Sequence, residues 1–283
     1  ARMPSRKILK SKKIKKNRLL ERKRMKFLII GDIVGEPGRN ILFKFLEKRK
    51  QNYDFIIVNG ENSAGGFGIT AKISEQFFSR GVDVITMGNH TWDKKEIYSY
   101  MNETKNIIRP INFTKEAPGR GYITVKKNGK NVSILNAQAK VFMPPIACPF
   151  LALDEILPEI QNESNIIIVD FHGEATSEKL AMGWNLSGKV SIVYGTHTHV
   201  QTADERILPG GTAYITDIGM TGGHDGILGM NRRESIQRFK DGMPTRYSVC
   251  EENPKINGIE VDVNDITGKA ETINRINLHY DEV

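Results

Sequence analysis

Cysteine is nearly missing from this chain. Cys148 and Cys250 are the two in 283 residues, and their spacing suits no thiolate metal site. A disulfide framework is excluded, and two lone thiols fit a reducing cytoplasm, the expected location. No run of about 18 apolar residues occurs, so no membrane span is expected, and the first residues hold no apolar segment of signal-peptide length. No internal repeat and no linker divides the chain. The stretch Gly65-Gly66-Phe67-Gly68 lacks the Gly-Lys-Ser/Thr ending of a P-loop, which leaves a triphosphate cradle unsupported. Acid is outnumbered by base, 33 Asp and Glu against 41 Lys and Arg, for a net charge of +8. That excess is local. Residues 1–24 carry twelve Lys or Arg and one acid, Glu21, a charge of +11 that leaves the remaining residues at −3. The basic signal therefore belongs to an expected disordered arm, with RNA contact as its secondary use, and says little about what the body binds.

What is present is an alternation of strand and helix signals. Met25 stands directly before a short apolar run, Lys26–Ile30, that ends in Gly31-Asp32. Pro37 suits the first turn of a helix through about Lys50. Phe55–Val58 is a second buried strand, ending in Asn59-Gly60-Glu61-Asn62, and Thr70 is placed to cap a helix to Arg80. Val82–Met87 is a third, ending in Gly88-Asn89-His90, with Asp93 and Glu96 at capping-box spacing for the next helix. Three strand–helix units in a row predict right-handed crossovers and a parallel sheet. A hairpin then turns at Asn128-Gly129, and a Pro-rich apolar loop (139–150) reads as cover for a sheet edge. A helix near Leu153–Ile160 leads to the strand Ile166–Val169 and on to His172. The next strand runs into Tyr194-Gly195-Thr196-His197-Thr198-His199. Beyond it come a hairpin at Pro209-Gly210-Gly211, a helix opened by Asn231 with Glu234 at capping-box spacing, and two strands flanking Thr267-Gly268. The expectation is one α/β domain over residues 25–283, two mixed sheets packed together with helices outside.

Five strands end in residues able to hold a metal: Asp32, Glu61-Asn62, Asn89-His90, His172, and His197 with His199. In an α/β sheet the carboxyl ends of strands share one edge, where ligands bind. Four of the six histidines lie in this set; His224 and His279 read as ordinary surface or loop residues. Mixed oxygen and imidazole donors suit Mn, Fe or Zn better than Mg or Ca, and at about four protein ligands per ion the set is large enough for two. Phe67 reads as packing or as a platform for a base; Glu174, Thr176 and Glu178 read as helix caps; Asp204 and Asp217 are candidates to orient ligating imidazoles.

These motifs resemble the calcineurin-like metallophosphoesterases, whose order is Asp-x-His, Gly-Asp-x-x-Asp, Gly-Asn-His, His, Gly-x-His-x-His. More closely, Gly31-Asp32-Ile33-Val34-Gly35, Asn59-Gly60-Glu61-Asn62, Gly88-Asn89-His90-Thr91-Trp92 and Gly195 to Asp204 resemble the bacterial YmdB-like phosphodiesterase branch. Two positions depart from the superfamily and agree with the branch: Val34 replaces a histidine, and Glu61-Asn62 replaces an aspartate. The resemblance implies a four-layer α/β/β/α sandwich. It implies one ion on Asp32, Glu61, Asn62 and His199, a second on Glu61, Asn89, His172 and His197, with Glu61 bridging and one imidazole of the His197/His199 pair to each. Two divalent ions, two carboxylates and a bridging hydroxide leave a small positive charge, suited to a phosphodiester monoanion. The expected reaction is in-line attack by that hydroxide on a cyclic nucleotide, 2′,3′- and also 3′,5′-, with His90 as general acid. A phosphomonoesterase or protein phosphatase is the alternative enzyme; an RNA-binding regulator using the basic arm is the alternative class. A homo-oligomer is expected by resemblance alone.

Overall fold

The first strand, β1 (Arg24–Ile30), shows how the layers arise. Side chains alternate across a strand. Phe27 and Ile29 enter one apolar cluster, Leu28 and Ile30 a second. The structure, a computed structural model, describes residues 24–283. Most of the basic segment, residues 1–23, therefore lies outside the described residues, while Arg24 already pairs with Asn264 across a sheet.

After β1 come β2 (Asp32–Ile33), α1 (Gly35–Arg49), β3 (Phe55–Asn59), α2 (Ala71–Ser79), β4 (Val84–Thr86), α3 (Ile97–Glu103) and β5 (Ile107–Ile108). The hairpin β6 (Tyr122–Lys127) and β7 (Lys130–Gln138) opens the second half. It continues with α4 (Pro149–Glu163), β8 (Ile166–His172), α5 (Thr176–Leu186), β9 (Ile192–Thr196), β10 (Arg206–Leu208), β11 (Thr212–Ile215) and β12 (Met220–Gly223). Last are α6 (Arg232–Asp241), β13 (Pro254–Asn264) and β14 (Ala270–His279).

The first sheet has the order β2-β12-β13-β1-β3-β4-β5, with β14 on β13. Its β1, β3, β4 and β5 are parallel, as the strand–helix units predict, and β13 runs antiparallel to β1. The second sheet is β10-β11-β9-β8-β7-β6, parallel from β11 to β7. Phe27, Ile29, Phe55 and Ile57 of the first sheet meet Ile134, Ile168, Ile192 and Tyr194 of the second between the layers. Outside the first sheet, Leu28, Ile30, Ile56 and Val58 pack on Leu42, Phe45 and Phe77 of the helices; outside the second, Ile167 and Val169 pack on Leu153, Leu157 and Met182. This is the expected four-layer sandwich of two mixed sheets flanked by helices.

Local signals fared unevenly. The Thr70 side chain caps α2 by accepting from Ile73 N at 3.2 Å. The Asp93/Glu96 pattern does not open a helix: α3 starts at Ile97, its N-cap Glu96 makes no side-chain cap bond, and both acids serve other partners. Asn231 precedes α6 without a capping box, because its amide and Glu234 both bind Ser248.

Candidate metal centre

All eight candidate residues lie at the carboxyl edge of parallel strands. The first sheet presents Asp32, Glu61, Asn62, Asn89 and His90; the second presents His172 at the end of β8, and His197 and His199 just after β9. His197 and His199 have φ of 97° and 65°, a backbone region unfavourable for a side chain with a Cβ. That geometry is held from below. Lys179 of α5, 1% exposed, donates to Thr196 O at 2.8 Å and to Asp217 Oδ2 at 2.6 Å. Asp217 Oδ2 also accepts from Thr198 N at 3.1 Å and Thr198 Oγ1 at 2.8 Å, so Thr198 is turned into the protein. Asp217 thus braces the loop rather than an imidazole, and Asp204 binds Thr202 and Thr216 instead of a histidine.

The donor atoms of Glu61, His172 and His197 all lie within 4.8 Å of one another. His172 Nε2 is 2.9 Å from Asn89 Oδ1, 3.0 Å from Glu61 Oε1 and 3.1 Å from His197 Nδ1. Its other nitrogen, Nδ1, is 2.9 Å from Thr196 Oγ1, whose hydroxyl donates to Asp170 Oδ1 at 2.7 Å. The threonine oxygen is therefore free to accept Nδ1–H, and the chain Asp170–Thr196–His172 turns Nε2 toward Asn89, Glu61 and His197. One proton on Nε2 cannot serve three acceptors; a cation can. Two further oxygens, Asp32 Oδ1 and Asn62 Oδ1, are buried without a hydrogen-bond partner. Burying such atoms unpaired is costly, and metal coordination satisfies them. The donor set thus fits hard-to-borderline divalent ions.

Electrostatics of the metal-free chain follow the same crowding. Burial opposes ionisation of Glu61, yet the facing His172 holds it down to about 2. Burial likewise opposes charge on His172, but Glu61 and Asp32 push it up to about 9. His197, desolvated and beside a charged His172, falls to about 3. Burial, reinforced by the neighbouring Glu61 and Asp217 carboxylates, raises Asp32 well above its ordinary range despite His172.

His90 sits on the cleft with its backbone N donating to Glu61 Oε2 at 3.0 Å. Its Nδ1 is 2.8 Å from Asp93 Oδ2, and the Phe67 ring meets it edge-on at 5.0 Å. His199 Nδ1 is 3.0 Å from Leu228 O, leaving Nε2 for the cleft. Asn62 donates to Gly66 O at 3.0 Å. Asn62, His90, His197 and His199 line one cleft of about 300 Å³.

Four contributors escape a strand-end reading of the sequence. Asp170 is fully buried two residues before His172 on the same strand, pushed up to about 6 by burial. Lys179 lies inside a helix. Asp93 carries a helix-cap spacing that conceals its pairing with His90. Glu174, read as a cap, instead places Oε2 3.2 Å from His197 Nε2, and the cap reading of Glu178 fails too, since it binds Lys140 N and Val141 N.

A solved phosphatase from Mycoplasma pneumoniae superimposes with TM-score 0.85 at 35% identity, over 90% of this chain and 94% of that one. A crystal structure of a hypothetical protein from Thermus thermophilus gives 0.86 at 35%, over 90% and 99%. A putative 5′-nucleotidase structure from Staphylococcus aureus, 15% identical with TM-score 0.59 over 90% of this chain and 54% of its own, shares the fold alone. Fold and site together define a phosphoric ester hydrolase of the metallophosphoesterase type. A family model described as YmdB-like protein matches residues 28–276, and the chain belongs to that family. A 2′,3′-cyclic-nucleotide 2′-phosphodiesterase of Bacillus subtilis (strain 168) is 50% identical over 92% of this chain and 99% of its own length. A putative phosphatase/phosphodiesterase of M. pneumoniae is 38% identical over 85% and 89%.

Proposed function

We propose that this chain is a dinuclear metal-dependent phosphodiesterase that opens 2′,3′-cyclic nucleotides, with 3′,5′-cyclic nucleotides as further substrates. The carrying observation is the convergence of Asn89, Glu61 and His197 on His172 Nε2, beside the unpaired oxygens of Asp32 and Asn62. The B. subtilis relative supports the choice of substrate. Asp32, Glu61, Asn62 and His199 would hold one ion; Glu61, Asn89, His172 and His197 the other, with Glu61 shared. When bound, iron or manganese (zinc is a further candidate) supplies Lewis acidity and a strong nucleophile at neutral pH.

The remaining steps belong to side chains. Asp170 and Thr196 fix the His172 tautomer. Glu174 accepts from His197 Nε2, which leaves Nδ1 facing Glu61 and His172. Asp93 accepts Nδ1–H of His90; as the imidazolium, His90 also carries a proton on Nε2, and that proton is the one delivered to the leaving ribose oxygen. A single domain over residues 25–283 is sufficient for these roles.

The test is turnover of 2′,3′-cyclic AMP, 3′,5′-cyclic AMP and an aryl phosphate monoester with Mn, with Fe and with chelator. Metal-dependent opening of the cyclic diesters is expected. Absence of metal-dependent hydrolysis overturns the enzyme reading; preference for the monoester overturns the diesterase. His90→Ala should keep two ions per chain yet lose most turnover on diesters with poor leaving groups. Loss of metal, or full activity, removes His90 from the acid role.

A further inference from the structure

The cleft has two unlike walls. Glu61, Asn62, His90, Glu174, His197 and His199 form the polar one; the apolar one, built mainly from Phe67, Leu228, Met230, Phe239 and Tyr247, adjoins it where the Phe67 ring meets His90 edge-on. We propose that this apolar wall is a nucleobase subsite, which takes the base of the substrate by stacking while its phosphate lies against the polar wall. The inference rests on the phosphodiesterase reading above.

The wall is built from the floor up. Val34 is fully buried in one cluster with Met220 and Met230, on which Phe67, Tyr247 and Val249 pack. Three glycines let these elements close on one another. A Cβ on Gly66 would sit 2.5 Å from Met230 Cε, one on Gly229 2.7 Å from Val34 Cγ1, and one on Gly35 2.8 Å from Val249 Cγ1. Val34 thus gives the wall an apolar floor. Above the floor, Leu228 is 49% exposed and Phe239 of α6 is 84% exposed at the rim. Apolar surface lining a solvent cleft is unfavourable unless a ligand covers it. The phosphate and ribose of a cyclic nucleotide are polar; its one flat, largely apolar face is the base.

The same wall says how the base is read. Besides the Tyr247 phenol, its hydroxyl is Ser235 Oγ, already donating to Asn231 O at 3.0 Å. Stacking without a dedicated hydrogen-bond reader is tolerant of base identity, because every base has a π face. Rejection of one base by about 10⁴-fold needs a polar reader. The structure therefore assigns weak discrimination among bases.

The experiment compares 2′,3′-cyclic AMP with the abasic ribose 2′,3′-cyclic phosphate, using wild type, Phe239→Ala and Phe239→Trp. Phe239 is exposed, so its truncation does not threaten the fold. Phe239→Ala should lower the ratio of kcat/KM values, nucleotide over abasic, about tenfold and through KM. Phe239→Trp should hold or raise that ratio. An unchanged ratio in Phe239→Ala overturns the subsite. If wild type turns over neither compound, the phosphodiesterase reading fails instead, and calorimetric titration with adenosine decides the subsite separately. Adenosine binding weakened about tenfold by Phe239→Ala supports it; no binding to wild type overturns it.

Discussion

His172 and the His197/His199 pair belong to the same candidate site but are placed by opposite means. His172 ends a strand paired on both sides, its register set by Gln138 and Thr196 as β-sheet partners, and a hydroxyl and a carboxylate fix its ring. Sheet pleat does the positioning, at little conformational cost. His197 and His199 leave the sheet with positive φ, a conformation that persists only when the surroundings over-determine it. The over-determination is the buried Lys179–Asp217 pair beneath Thr198. The contrast teaches that one candidate ligand is rigid by inheritance from the sheet, and two are rigid only because a charged clamp holds their loop.

Four experiments break or sharpen that contrast. The largest effect is expected from His172→Ala, which should cut turnover by about 10³-fold or more and strip the ion proposed for Asn89, His172 and His197, because it removes the focus of three donor groups. His199→Ala should lose less, and elemental analysis should find one ion retained. Equal losses would erase the distinction. Next, Lys179→Met leaves the Asp217 carboxylate buried and unpaired, which costs about 3–5 kcal/mol in chemical denaturation. Adding Asp217→Asn to it should recover part of that loss.

Third is pH. His172 in the metal-free chain titrates at about 9, above its usual value of about 6.5, so the folded state binds the proton more tightly than the unfolded one. Its contribution is fully present below about pH 6.5 and is lost as pH rises through about 9, with an upper bound of about 3 kcal/mol. Thermal unfolding in chelator should fall over that window, and Mn, which displaces the proton, should flatten the slope. Smallest is Thr196→Val, which should weaken metal binding about 10–100-fold by freeing the His172 ring, with Thr196→Ser restoring it.

Much of this was legible from residue order. The continuous apolar runs of β1, β3 and β8 predict buried strands, which the structure covers on both faces, and polar residues at five strand ends predict the crest of the candidate site. What escaped was pairing at long range. Asp93 sits at helix-cap spacing, and only the fold reveals that His90 claims it first. Asp170 reads as one more strand residue until Thr86 and Thr196 are seen to converge on it. Lys179 carries the pattern of a surface helix, yet its ammonium is drawn inward by a carboxylate 38 residues on. Spacing predicts geometry within one element; it does not say which of several acceptors wins.

The place of β13 has a consequence for biosynthesis. It lies between β1 and β12, and its backbone at Asn257 accepts from Gly31 N, the residue that turns the chain into Asp32. Asp32 N in turn donates to Gly219 O. The first candidate ligand to leave the ribosome is thus anchored by segments translated some 190 to 230 residues later. Such a topology has slow, non-local closure, because loop entropy is lost before the contacts form. A nascent chain can complete its strand–helix units early, but its Gly31-Asp32 turn gains these backbone partners only once β13 has emerged.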